Sequence, residues 1–159
     1  MLLNFFKDNN LLNNKHIPDT YKFNSRENRL KLLAGLIDSD GYLSNNVYEF
    51  TLKSEILVNN IIFLVRSLGF FTYKKEVQKT CTNSVNGPVT GNYLRFHICG
   101  EGLEEIPVLL ERKRAHERRS KKDACVNGLK IVSVGKREFY GFKLDRIAHF
   151  LLGDFTVTH

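Results

Sequence analysis

The stretch that most constrains this chain is Leu33-Ala34-Gly35-Leu36-Ile37-Asp38-Ser39-Asp40-Gly41. Leu30, Leu33, Leu36 and Ile37 recur at helical spacing and predict one apolar helix face. Ser25 is the N-cap candidate, and Glu27 sits in the first turn, where negative charge suits the helix dipole. Asn28 stands where a capping box prefers Glu or Gln. Gly41 marks the helix end. Ala34 and Gly35 are small, so a second helix backbone can approach there. Asp38 and Asp40 then fall at the C-terminal end, where the dipole disfavours negative charge. Acids placed against that preference call for a partner, and a divalent cation suits carboxylate oxygens. A buried amphipathic helix with a solvated acidic end accounts for the same letters.

Eight of these nine letters match the LAGLIDADG motif of homing endonucleases, with Ser39 in place of Ala. The stretch therefore resembles that motif. Lys15-His16-Ile17-Pro18 resembles the block that precedes the second such motif in inteins. Ser67-Leu68-Gly69-Phe70 resembles another intein block, and Phe150 to His159 (FLLGDFTVTH) resembles the C-terminal splice block. All four stand in the family's order. The chain is thus similar to the C-terminal part of an intein carrying the second LAGLIDADG motif.

The rest of the chain is consistent with a folded α+β unit. Tyr48, Phe50 and Leu52 alternate with Glu49, Thr51 and Lys53, which predicts a strand. A helix is expected over 55–68, capped by Gly69, then strands from Phe71 to Val77 and Tyr93 to Ile98. Strands with one polar face suit an antiparallel sheet covered by helices on one side. The resemblance implies that the uncovered face forms a saddle on double-stranded DNA. Lys53, Lys74, Lys75 and Arg95 are its candidates, with Tyr93 beside them.

Residues 103–122 form a basic segment, read as a helix with Pro107 in its first turn. From Glu111 to Lys122 it holds seven Lys or Arg against two Glu, a net +5, in a chain whose formal charge is +7. Neutralising phosphates is one use of such a run, and a solvated face is another. Arg112, Arg118 and Arg119 are DNA-binding candidates. The resemblance places a lysine near the scissile phosphate, with Lys113 chosen by position and Lys121 next.

Short strands are expected over 129–134, 138–144, 150–152 and 155–158. Alone they are too few to bury a core. The resemblance divides the chain into 1–124, the second half of a LAGLIDADG endonuclease, and 125–159, the C-terminal segment of a Hint-type all-β splicing domain. An N-terminal intein fragment is the expected partner for those strands.

The resemblance implies two chemistries. DNA cleavage would use Mg2+, with Asp40 as the catalytic, metal-binding carboxylate and Asp38 as a supporting residue. A second motif helix would come from a homodimer or from a missing N-terminal half. Splicing would need no cofactor. His159 matches the penultimate histidine that assists Asn cyclisation, and the chain as given stops before that Asn. His149 is a second splicing candidate, offset from the usual position, which Ile147 and Ala148 occupy. Two other readings remain: a standalone homodimeric endonuclease, and a DNA- or RNA-binding derivative without cleavage.

Composition excludes little else. No apolar run reaches the roughly 18 residues of a membrane span, so no membrane partner is expected. The three cysteines, Cys81, Cys99 and Cys125, are an odd count without paired spacing. That argues against a disulfide framework and suits a reducing intracellular compartment such as cytoplasm or nucleus.

Overall fold

A computed structural model describes residues 2–82, 87–117, 119, 130–138, 140–141, 143–144 and 148–158. The chain divides into two compact units, Met1–Ser120 and Lys121–His159. The first is an α+β unit. Helices α1 (Leu2–Asp8) and α2 (Asp19–Lys22) lead to the long helix α3 (Arg26–Asp40). Then come β1 (Tyr42–Ser44), β2 (Val47–Leu52), α4 (Glu55–Ser67), β3 (Phe71–Cys81) and β4 (Val89–Cys99). The strands form one antiparallel sheet in the order β1-β2-β4-β3.

Helix α3 starts where the sequence places it. The Ser25 side chain accepts from the Asn28 amide, and Leu30, Leu33, Ala34 and Ile37 are buried. Gly41 closes the helix for a steric reason. A Cβ there would stand 2.9 Å from the Ile37 backbone and 3.1 Å from the Phe50 ring. Its φ of −79° needs no left-handed backbone.

Helix α4 follows the same logic at its start, with the Ser54 hydroxyl accepting from the Leu57 amide. Its end is a Schellman motif. The Gly69 amide donates to Arg66 O and the Phe70 amide to Val65 O, and Gly69 takes φ +88°. A Cβ at Gly69 meets no atom but must adopt this left-handed backbone. Gly69→Ala is therefore expected to destabilise the unit by about 1 kcal/mol, read from the denaturant midpoint.

The sheet and helices meet in one core. Tyr48 and Phe50 of β2, Phe96 and Ile98 of β4, and Ile61, Leu64 and Val65 of α4 are essentially inaccessible. Phe50 and Phe96 face each other in the register and stack with ring centroids 5.0 Å apart. Strand β1 was not expected from the pattern. It is set by the turn Asn45-Asn46, both at positive φ (50° and 58°), which suits a tight hairpin.

The basic segment departs from expectation. Over 103–117 the chain makes two 3-10 turns, Leu103–Glu105 and Glu111–Lys113, and otherwise runs without regular structure. Leu103, Ile106, Val108, Lys113 and Ala115 are the buried positions. Lys113 and Ala115 bracket exposed Arg114, the alternation of an extended strap rather than of a helix. Pro107 carries no N–H to propagate a helix there.

In the second unit the described strands are two, β5 (Phe150–Leu151) and β6 (Val157–Thr158), paired antiparallel. The strand expected over 129–134 is not formed in its described part, residues 130–134, and residues 138, 140–141 and 143–144 of the next carry no strand either. A strand needs a neighbour to hydrogen-bond its edge, and Ile131, Val132 and Val134 are exposed.

Candidate functional site

The C-terminal end of α3 is locked by the strap. Such an end leaves carbonyls without helical partners. Here the Lys113 ammonium donates to Ile37 O at 2.7 Å and to Asp38 O at 2.8 Å. Lys113 is 3% exposed, so its charge meets the negative end of the helix dipole out of water. The Asp38 carboxylate reaches the other way. It accepts from the backbone amides of Leu109 at 2.8 Å and Leu110 at 3.2 Å. The Tyr48 hydroxyl donates to Lys113 O at 2.8 Å. Asn46 binds the strap again, its amide donating to His116 O and its carbonyl accepting from His116 N, both at 2.7 Å.

Burial of Tyr48 pushes its phenol above the ordinary value, and the Asp38 charge adds to this against a backbone hydrogen bond from Ala115. The protonated phenol is thus favoured in the fold. Its stabilisation is complete below about pH 10, the ordinary tyrosine pKa, and is lost as pH rises through the higher folded value. Tyr48→Phe is expected to lose about 1 kcal/mol at neutral pH and to show a shallower loss above pH 10. Denaturant midpoints of both proteins across that range give the comparison.

The two acids of the motif end differently. Asp38 is engaged by the strap. Asp40 is exposed and, among the described residues, has one long contact of 3.4 Å from the Ser39 hydroxyl. Lys113, which the resemblance placed near a phosphate, has its ammonium buried on the helix carbonyls in this structure.

The face of the sheet away from the helices carries a polar row. Cross-strand pairing aligns Tyr42, Glu49, His97 and Tyr73, one from each strand. The next row holds Thr51, Arg95 and Lys75. Glu49 joins the rows. One carboxylate oxygen lies 3.0 Å from His97 Nε2 and the other 3.3 Å from Arg95 Nε. Tyr73 stacks on His97 at 5.5 Å.

Of the sequence candidates, Arg95 and Lys75 share this face, and Lys53 is exposed one residue beyond β2. Lys74 does not share it. Its pairing with Phe96 puts it on the helix-covered side, where its ammonium donates to Asn59 Oδ1 at 2.7 Å and stands 3.4 Å from Glu55. Arg112 and Arg119 are exposed on the irregular segment. His149 is exposed, directly before β5. His159, Arg118, Lys121, Ile147 and Cys125 lie outside the described residues, as does Asp145. Sequence reasoning passed over Glu49 and Tyr73 because their importance comes from register, which no local pattern states.

A Mg2+ ion takes one or two protein carboxylates and completes its shell from water and phosphate oxygens. Asp40 fits one such ligand. Among the described residues no group of three or more His, Cys, Asp or Glu gathers into a complete cage. Among those residues no helix is long and apolar enough to cross a membrane.

Residues 16–97, just over half the chain, match the family model described as homing endonuclease. Over 110 residues, 69% of this chain, the sequence is 31% identical to a replicative DNA helicase DnaB of Mycobacterium intracellulare. The matched region spans 18% of that relative's length.

Proposed function

The chain belongs to the homing endonuclease family, and from that premise we propose that it is the second LAGLIDADG half of such an enzyme, carried within an intein. The observation that carries the endonuclease reading is the division of labour at the end of α3. Asp38 and Lys113 fix the helix end, and Asp40 stays exposed beside it. Gly35 is exposed, and a Cβ there would meet nothing within 4 Å. A second motif helix, from another copy or from an N-terminal half, would pack there and bring a second acid. A cation held between the two acids would polarise a phosphodiester and activate water. The sheet face bearing Arg95, Lys75 and Lys79 would lie on the duplex, with counterion release driving much of the binding.

The splicing part rests on FLLGDFTVTH and on the β5–β6 hairpin within it. His159 would donate a proton at the scissile amide while a following Asn cyclises, with no cofactor. His149 would assist from just before β5. The N-terminal intein fragment would supply strand neighbours for this unit. A match to under a fifth of a helicase chain is what an insertion inside a larger host protein produces.

The test uses the chain with Asn placed after His159, an extein beginning with Ser, Thr or Cys, and the N-terminal fragment. Mass spectrometry is expected to show the ligated flanking sequences, and the same assembly with Mg2+ is expected to cleave duplex DNA. Cleavage by the chain alone as a dimer, with no ligated or C-terminally cleaved product after reconstitution, replaces the intein reading with a standalone homodimeric endonuclease.

A further inference from the structure

We infer that Glu49 sets the base preference of the open sheet face, acting as a positioning residue through Arg95. The inference rests on the nucleic-acid reading above and deepens it. A carboxylate in the middle of a cationic face is repelled by phosphate. The point where Glu49 sits must therefore face the floor of a groove, while the flanking lysines meet the backbone.

Glu49 organises that point from two sides. Both it and Arg95 are about 30% exposed, so their attraction is screened less than that of a surface pair. The Arg95 Nε is near enough for an ion pair yet is not aligned as a hydrogen bond. Paired at Nε, the guanidinium would turn its outer Nη fork to the groove. That fork matches the O6 and N7 acceptors of guanine in the major groove, a pairing that discriminates bases where a phosphate contact does not.

His97 closes the other side. Its Nδ1 is buried without a hydrogen-bond partner among the described residues. A proton there would be an unsatisfied buried donor, which favours the tautomer whose Nε2 donates to Glu49. Stacking on Tyr73 fixes the ring plane.

The test selects bound sequences from a randomised duplex pool with the 159-residue chain, then measures affinity for the selected duplex and for single-base changes in it. In Glu49→Gln, an acceptor for His97 remains and the charge holding Arg95 is gone. Discrimination at one G·C position is expected to fall about tenfold or more. Affinity for unrelated duplex is expected to hold or rise, with the melting temperature unchanged. Arg95→Lys keeps the positive charge and loses the fork, and should lose the same preference. The double variant should lose no more than either single one, because both act on one contact.

A Glu49→Gln protein that keeps its base preference overturns the inference. So do losses that add independently in the double variant, or a loss that appears only with a lowered melting temperature. An unaltered chain that binds no duplex at all overturns the nucleic-acid reading and this inference with it.

Discussion

Lys113→Met is expected to destabilise the first unit by about 3 kcal/mol, from the two charge-assisted hydrogen bonds that its ammonium makes. Methionine fills much of the volume of the lysine stem, so packing loss is small. What disappears is the donor to Ile37 O and Asp38 O, which then stand buried at the negative end of α3. The desolvation cost of the ammonium disappears too, which keeps the net below the full sum of two such bonds. In a domain of this size the change corresponds to a melting temperature lower by roughly 10 °C. Arginine is not a substitute, because its planar fork is not a point donor. Denaturant unfolding measures the effect. A variant within about 0.5 kcal/mol of the unaltered chain, yet unable to cleave DNA, would return Lys113 to the phosphate role that the sequence suggested.

Asp40→Asn is expected to do the opposite. Cleavage of duplex DNA by the reconstituted enzyme should fall at least about a hundredfold, the scale seen when one charge-stabilising group leaves an active site. Stability should hold or rise by a few tenths of a kcal/mol, since a negative charge leaves a helix C-terminus. Asp40 is exposed and, among the described residues, makes only the long Ser39 contact, so little packing depends on it. Asp38→Asn gives the contrast. It weakens two backbone hydrogen bonds to the strap and should cost about 1–2 kcal/mol. Paired cleavage and unfolding measurements separate the two acids. Equal losses of cleavage with no change in either stability would refute the division between them.

What was legible in the sequence follows the range of the forces involved. The span of α3 could be read because Ser25, the apolar spacing and Gly41 act within a few residues of one another. The helix from Glu55 to Ser67 and the strands around Phe50 and Phe96 were legible for the same reason. The strap was not. Its basic letters look helical, but its backbone is claimed by Asp38, 71 residues away in sequence. Lys74 and Lys75 look alike as neighbours, and only the register with β4 sends them to opposite faces. The Asn45-Asn46 turn carried a signal for β1 that the alternation alone did not reveal.

Of the lock between α3 and the strap, the half that Asp38 makes is written on the strap side in main-chain atoms alone. Asp38 grips the amides of positions 109 and 110, and Leu109 is 86% exposed. Such a clasp is blind to which side chains those two positions carry, provided that neither is proline. The clasp therefore tolerates substitution at positions 109 and 110, while it depends on the side chains at 38 and 113. Divergent copies of this element can change the outer surface beside Asp40 without loosening the helix end that presents it.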